Sequence, residues 1–157
     1  MNMDELFNKL LLLRTPGVGP AKYNALVKKF GGADDVVTAV GVDGAVRDSV
    51  MRELDAAQKL GIHYIYDTDD CYPIMLRALK NHPPVLSVRG NIDALCRPMV
   101  GIVGTRHATA AGMRIAGDIA QKFAEHGNVV VSGMAMGTDT AAHRGALQVG
   151  GNAQTVA

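Results

Sequence analysis

Between Met99 and Arg144 the chain carries two strand-loop-helix units in succession, and that doublet constrains the fold more than any other stretch. Met99-Val100-Gly101-Ile102-Val103 is apolar and β-branched, Gly104-Thr105-Arg106 breaks it, and a helical pattern follows from Ala110 to His126. After Gly127-Asn128, the run Val129-Val130-Val131 repeats the strand signal, and Ser132 to Asp139 leads into a second helix bearing His143 and Arg144. Two strands joined by one helix form a right-handed crossover, so they lie parallel and both post-strand loops emerge at the same carboxyl edge.

That edge has the chemistry of an anion site. Each loop feeds a helix N-terminus, where unpaired N–H groups and the positive dipole end favour phosphate. Gly104, Gly133 and Gly137 allow a ligand close to the backbone, Thr105, Ser132 and Thr138 add hydroxyls, and Arg106 can fork onto one phosphate as lysine cannot. The same glycines also serve strand-to-helix turns that bind nothing, and pattern alone leaves both uses open. A nicotinamide dinucleotide is disfavoured: Gly101, Gly104 and Gly112 do not make G-x-G-x-x-G, and the second strand ends in Ser132 where an acidic residue would hold a ribose.

Val-Gly-Thr-Arg at 103–106 and Val-Ser-Gly-Met-Ala-Met-Gly-Thr-Asp-Thr-Ala-Ala-His-Arg-Gly-Ala-Leu at 131–147 resemble the DNA-processing protein A family, DprA, also called Smf. Its members carry a G-S-R turn and an S-G-x-A-x-G-I-D-x-x-A-H-x-x-A-L segment on an extended Rossmann-like fold. Thr105 replaces the usual serine and Thr138 the usual isoleucine. Tyr72-Pro73 and Pro83-Pro84-Val85-Leu86-Ser87-Val88-Arg89-Gly90 are similar to two further family patterns, Y-P-x-x-L and P-P-x-L-x-x-x-G. The resemblance implies a single-stranded DNA-binding protein that helps load the recombinase RecA in bacterial natural transformation. It also implies a homodimer for the full-length parent, no cofactor and no enzymatic activity.

Residues 1–62 read as a separate helical domain, with 63–157 as the Rossmann-like domain. Apolar spacing predicts helices over Asp4 to Arg14, Ala21 to Phe30 and Ser49 to Leu60, with a loop at Gly41 to Arg47. Between the first two lies Thr15-Pro16-Gly17-Val18-Gly19-Pro20, which looks like a helix-hairpin-helix turn. Amides near Gly17 and Gly19, with Lys22, could hold a second DNA phosphate, though Pro-Gly pairs also make plain helical hairpins. Family members often carry such a helical domain, of this type or the sterile-alpha-motif type, ahead of the Rossmann part. From His63 the period changes: His63 to Tyr66 and Val85 to Val88 are β-prone, and Tyr72 to Lys80 has helical spacing. Arg77, Lys80 and Arg89 are candidates to extend a basic surface.

With 157 residues, 48% hydrophobic and 20% charged, the chain is globular, and its net charge of +1 requires any basic patch to be local. Cys71 and Cys96 have no metal spacing and read as apolar thiols of a reducing cytoplasm. The N-terminus, with Asp4, Glu5 and Lys9 before only a brief Leu10 to Leu13 run, reads as neither a signal peptide nor a membrane span. Gln154 to Ala157 begins a β-like run with no helix to follow, so the parallel sheet is expected to be incomplete at the C-terminus.

No catalytic constellation emerges. Asp139 and His143, four apart, read as a helix-face pair, and Asp139 as a charge favoured at a helix start. Met113, Met134 and Met136 read as core filling rather than a metal site. The competing function is a Rossmann-like nucleotide-binding hydrolase of the lysine-decarboxylase-like phosphoribohydrolase type, which holds a nucleotide phosphate at the same kind of edge. The helical hairpin domain, Arg106 and the Ala-His-Arg-Gly-Ala-Leu pattern favour DNA.

Overall fold

A computed structural model describes residues 3–157, which divide into two compact units, one reaching to Gly90 and one from Asn91 to Ala157. In the first, helices α1 (Met3–Arg14), α2 (Pro20–Phe30), α3 (Ala33–Val40) and α4 (Gly44–Leu60) surround a core of Leu6, Leu10, Leu11, Val36 and Val50. Leucines three and four apart make that buried stripe on α1. Strands β1 (Ile62–Tyr66) and β2 (Val85–Arg89) pair antiparallel, from Ile62 opposite Arg89 to Tyr66 opposite Val85, and add Tyr64 and Tyr66 to the same core. Burial pushes the Tyr23 and Tyr66 hydroxyls up to about 12.

Three local expectations are corrected. Helix α3 was not foreseen, although Ala33, Val36, Val37 and Val40 have helical spacing and Asp34 and Asp35 sit in its first turn. The stretch read as a loop at Gly41 to Arg47 is helical from Gly44, because the Asp43 carboxylate caps it by accepting from the Ala45 N–H at 2.7 Å. The helix expected over Tyr72 to Lys80 shrinks to α5 (Ile74–Arg77), whose Ile74 and Met75 are exposed and so supply no burial to sustain more turns. Arg77 is also no free basic residue: its guanidinium donates to the Asp69 carbonyl and lies over the Tyr72 ring.

The second unit opens with a 3-10 helix, Ile92–Cys96, and continues with β3 (Met99–Gly101), α6 (Ala110–Glu125), β4 (Val129–Val131), α7 (Thr138–Gln148) and β5 (Thr155–Val156). The strands form one parallel sheet in the order β3-β4-β5, with Met99 opposite Val129 and Val130 opposite Thr155. Both crossovers step the same way, so right-handedness puts α6 and α7 on one face of the sheet. There Ala120, Ala124, Ala142 and Ala146 pack with Val130. Gly145 lies directly on the Gly117 backbone, leaving no room for a side chain. Arg97 ties the entrances to β4 and β5, donating to the Gly127 carbonyl at 2.7 Å and the Asn152 carbonyl at 2.8 Å.

Among the described residues no helix is long and apolar enough to cross a membrane. Neither Cys71 nor Cys96 is a free thiol, contrary to the expectation of reduced apolar cysteines.

Candidate functional site

Because β3 and β4 are parallel and in register, residues 102–109 and 132–137 leave the sheet at one edge, side by side. The two loops interlock. The Thr138 N–H donates to the Thr105 carbonyl at 3.2 Å, and the Thr138 hydroxyl reaches the same oxygen at 3.3 Å. A Cβ on Gly104 would lie 2.5 Å from the Thr138 hydroxyl oxygen, and one on Gly137 would lie 2.5 Å from the Thr105 carbonyl and 2.6 Å from that of Arg106. Gly137 also has φ +78, so both its conformation and its surroundings require glycine. The two glycines let one loop rest on the other.

Buried groups hold this arrangement from beneath. The Ser132 hydroxyl, 4% exposed, donates to the Ile102 carbonyl at 2.7 Å and bonds the ends of β3 and β4 together. Asp139, 7% exposed, turns its carboxylate into the loop ahead of α7 and accepts from the N–H groups of Gly133 at 3.1 Å and Ala135 at 3.3 Å. A carboxylate receiving two amides at a helix start is a strong local clamp. The expected Asp139–His143 pair therefore does not form. His143 Nδ1 instead lies 2.7 Å from the Thr155 hydroxyl.

The seven edge residues Gly104, Thr105, Arg106, Ser132, Gly133, Gly137 and Thr138 come together, but in different roles. Ser132 and the Gly133 amide are engaged inside the protein, as is the Thr138 amide, so fewer donors face solvent than the helix-start argument supposed. Thr105 steadies the turn by accepting from the His107 N–H at 3.1 Å. Arg106 is exposed, and its guanidinium has no hydrogen-bond or ion-pair partner among the described residues. An unpaired arginine above a backbone that cannot retreat is ready to bind a phosphate without breaking an internal contact.

Gly17, Gly19 and Lys22 lie in the other unit. Gly17 has φ +76 with open space around it, Gly19 is the N-cap of α2, and Lys22 is exposed. Among the described residues no three His, Cys, Asp or Glu side chains are placed to hold a metal ion.

Sequence reasoning misjudged the methionines. Met134 is 75% and Met136 69% exposed, both in the loop ahead of α7, and Met113 is also exposed on α6. Met134 moreover has φ +55, the one non-glycine residue with positive φ among those described. Its neighbours' amides are the two that Asp139 holds, so the buried carboxylate imposes that backbone and turns Met134 outward. An acidic residue two places after Gly137 was the available signal for the clamp.

Comparisons with known proteins agree with this architecture. Residues 63–157 match the family model of DNA recombination-mediator protein A, and residues 3–56 match that of a DprA-like N-terminal HHH domain. The chain is 43% identical over 83 residues to the DNA processing protein DprA of Streptococcus pneumoniae, a stretch covering 53% of this chain and 29% of that protein. It is 32% identical over 105 residues to Protein Smf of Escherichia coli, covering 67% of this chain and 28% of the other. Against a putative DNA processing protein DprA of Mycobacterium tuberculosis the identity is 31% over 143 residues, 83% of this chain and 36% of the relative. The X-ray structure of DNA processing protein A from Streptococcus pneumoniae superposes with a TM-score of 0.66 at 29% identity, covering all of this chain and 57% of that one. The matched stretches thus span 28% to 36% of those three relatives' own length.

Proposed function

This chain belongs to the DNA recombination-mediator protein A family, and from that premise we propose that it binds single-stranded DNA along the carboxyl edge of β3 and β4. Gly104 and Gly137 let the two loops close on each other, Ser132 and Gly133 hold the loops in place, the sugar-phosphate backbone lies along them at Thr105 and Thr138, and Arg106 is the chief anchor. The observation that carries this reading is the free Arg106 guanidinium standing on two interlocked loops. Gly17, Gly19 and Lys22 form a secondary contact in the helical domain, which we assign to residues 1–62 ahead of the Rossmann-like domain at 63–157. For the whole protein, the reading extends to a cytoplasmic, non-enzymatic homodimer that loads RecA during DNA uptake and homologous recombination.

Phosphate contacts carry little sequence information, so affinity should vary weakly with base composition and fall with salt, by a logarithmic slope of about 0.7 for each phosphate neutralised on a single strand. Titrating a fluorescent oligonucleotide across a salt series tests this. A folded protein that fails to bind at low salt, or that releases free base from nucleoside monophosphates, would overturn it.

A further inference from the structure

The connection from β1 to β2, residues 67–84, is long for a hairpin, and packing holds only part of it. Tyr72 and Pro84 are buried, but α5 has a single turn, and Ile74, Met75 and Leu79 around it are exposed. Polar bonds supply the rest of its order. The Asp67 N–H donates to the Pro84 carbonyl at 3.2 Å, the Asp69 carboxylate accepts from the Tyr66 N–H at 2.8 Å, and the Tyr72 hydroxyl donates to the Pro83 carbonyl at 2.6 Å. Burial holds the Tyr72 hydroxyl above its usual 10, so that bond keeps its proton well past neutrality.

One more bond is different in kind. Asp67 and His82 stand at the two ends of the loop, and the imidazole bridges its neck, with Nε2 3.0 Å from the Asp67 carboxylate and Nδ1 2.8 Å from the Leu79 carbonyl. Both partners are acceptors. A neutral ring has one N–H, so it meets one acceptor and turns a lone pair on the other, in either tautomer and whichever way the ring is turned. The imidazolium, with two N–H groups, meets both. The Leu79 carbonyl first, then Asp67, favour the second proton, while partial burial and the Arg77 cation on α5 oppose it. Tyr72, the other ring against His82, stands edge-on with centroids 6.0 Å apart.

We infer that His82 is a proton-operated latch on the 67–84 loop, closed while the imidazole carries both protons and loosened when it loses one. Its folded-state pKa lies above the usual 6.5, so the latch is closed below that value and opens as pH rises through the folded one. Opening leaves one acceptor unmet at the neck and lets α5 move with Ile74, Met75 and Leu79. The latch lies within the first unit and does not depend on the DNA reading.

Trypsin cleavage at Arg77 and Lys80, both inside the loop, tests this at about pH 6 and about pH 8.5, on either side of the range in which an imidazole titrates. Each rate is divided by that of a free peptide of residues 67–84, which removes the protease's own pH dependence, and fragments are read by mass spectrometry after reduction. In the parent chain the ratio should rise about threefold or more with pH. His82→Gln should remove the rise. Asp67→Asn should remove it with the loop still closed, because its amide can donate to Nε2 and the neutral ring then meets both partners. A constant ratio in the parent would overturn the latch, as would a rise that persists in His82→Gln or in Asp67→Asn. If His82→Gln does not fold, the parent and Asp67→Asn decide the matter between them.

Discussion

The turn at Gly17–Pro20 and the loop at Ser132–Gly137 both deliver the chain to a helix, and they do so by opposite means. Ahead of α2, Gly19 caps the helix without a side-chain bond, Pro20 supplies the fixed first position, and the missing side chains of Gly17 and Gly19 face open space. Ahead of α7, a buried carboxylate gathers the amides of Gly133 and Ala135, and Gly137 lies against the carbonyls of another loop. The hairpin is a local turn whose glycine meets a dihedral requirement. The edge is a packed junction between two crossovers, where glycine meets a steric requirement too. Rigid backbone beneath an unpaired arginine is what separates a binding edge from a plain turn.

Alanine at the two positive-φ glycines should separate these cases most clearly. Gly17→Ala forces a left-handed conformation at a cost of about 1–2 kcal/mol. Gly137→Ala adds a collision with two carbonyls and should cost about 3 kcal/mol or more. Urea midpoints of the two variants decide the matter, and equal losses would break the contrast. Next in size, Asp139→Ala strands the Gly133 and Ala135 amides and should destabilise the second unit by about 2 kcal/mol. Amide exchange should then quicken at those two residues, and unchanged protection there would mean that the carboxylate is not the clamp.

A smaller effect belongs to the first unit alone. His82 faces acceptors at both ring nitrogens, the Leu79 carbonyl at 2.8 Å from Nδ1 and the Asp67 carboxylate at 3.0 Å from Nε2. The carbonyl first, then the carboxylate, raise its pKa above the usual 6.5. A raised folded-state pKa means that the stabilisation is fully present below the unfolded value near 6.5 and is lost as pH rises through the folded value. His82→Gln should flatten that part of the stability profile, and a proton NMR titration of His82 at or below 6.5 would contradict the two-acceptor arrangement.

Much of this was legible in the letters. The two strand-loop-helix units announced themselves because β-branched runs, glycine turns and helical spacing alternate in a fixed order, and the structure returns them with shorter strands: β3 stops at Gly101 where Val103 was expected, its edge giving way to the loop that carries Arg106. The hairpin of β1 and β2 packs with the helical bundle, although the family match begins at residue 63, because Tyr64 and Tyr66 find their burial there. Periodicity cannot show that, since it records which residues are apolar and not which core receives them. The Asp139 clamp was hidden for a related reason: an acid at a helix start reads as dipole complement until its carboxylate is seen turned back into the loop. Met134 was misread because apolar character ordinarily means burial, and here a backbone held left-handed turns the side chain out.

The central claim is that the sheet edge, through Arg106, anchors DNA and the hairpin is secondary. Arg106→Ala and Lys22→Ala both concern exposed side chains and should change stability by no more than about 0.5 kcal/mol, so their binding can be compared directly at one fixed salt concentration. Loss of a charge-assisted fork to phosphate is worth roughly 1.5–3 kcal/mol, so Arg106→Ala should bind a single-stranded oligonucleotide about tenfold or more weakly, and Lys22→Ala within about twofold of the parent. A folded Arg106→Ala protein that binds like the parent, or a Lys22→Ala protein that loses more than it does, would contradict the assignment.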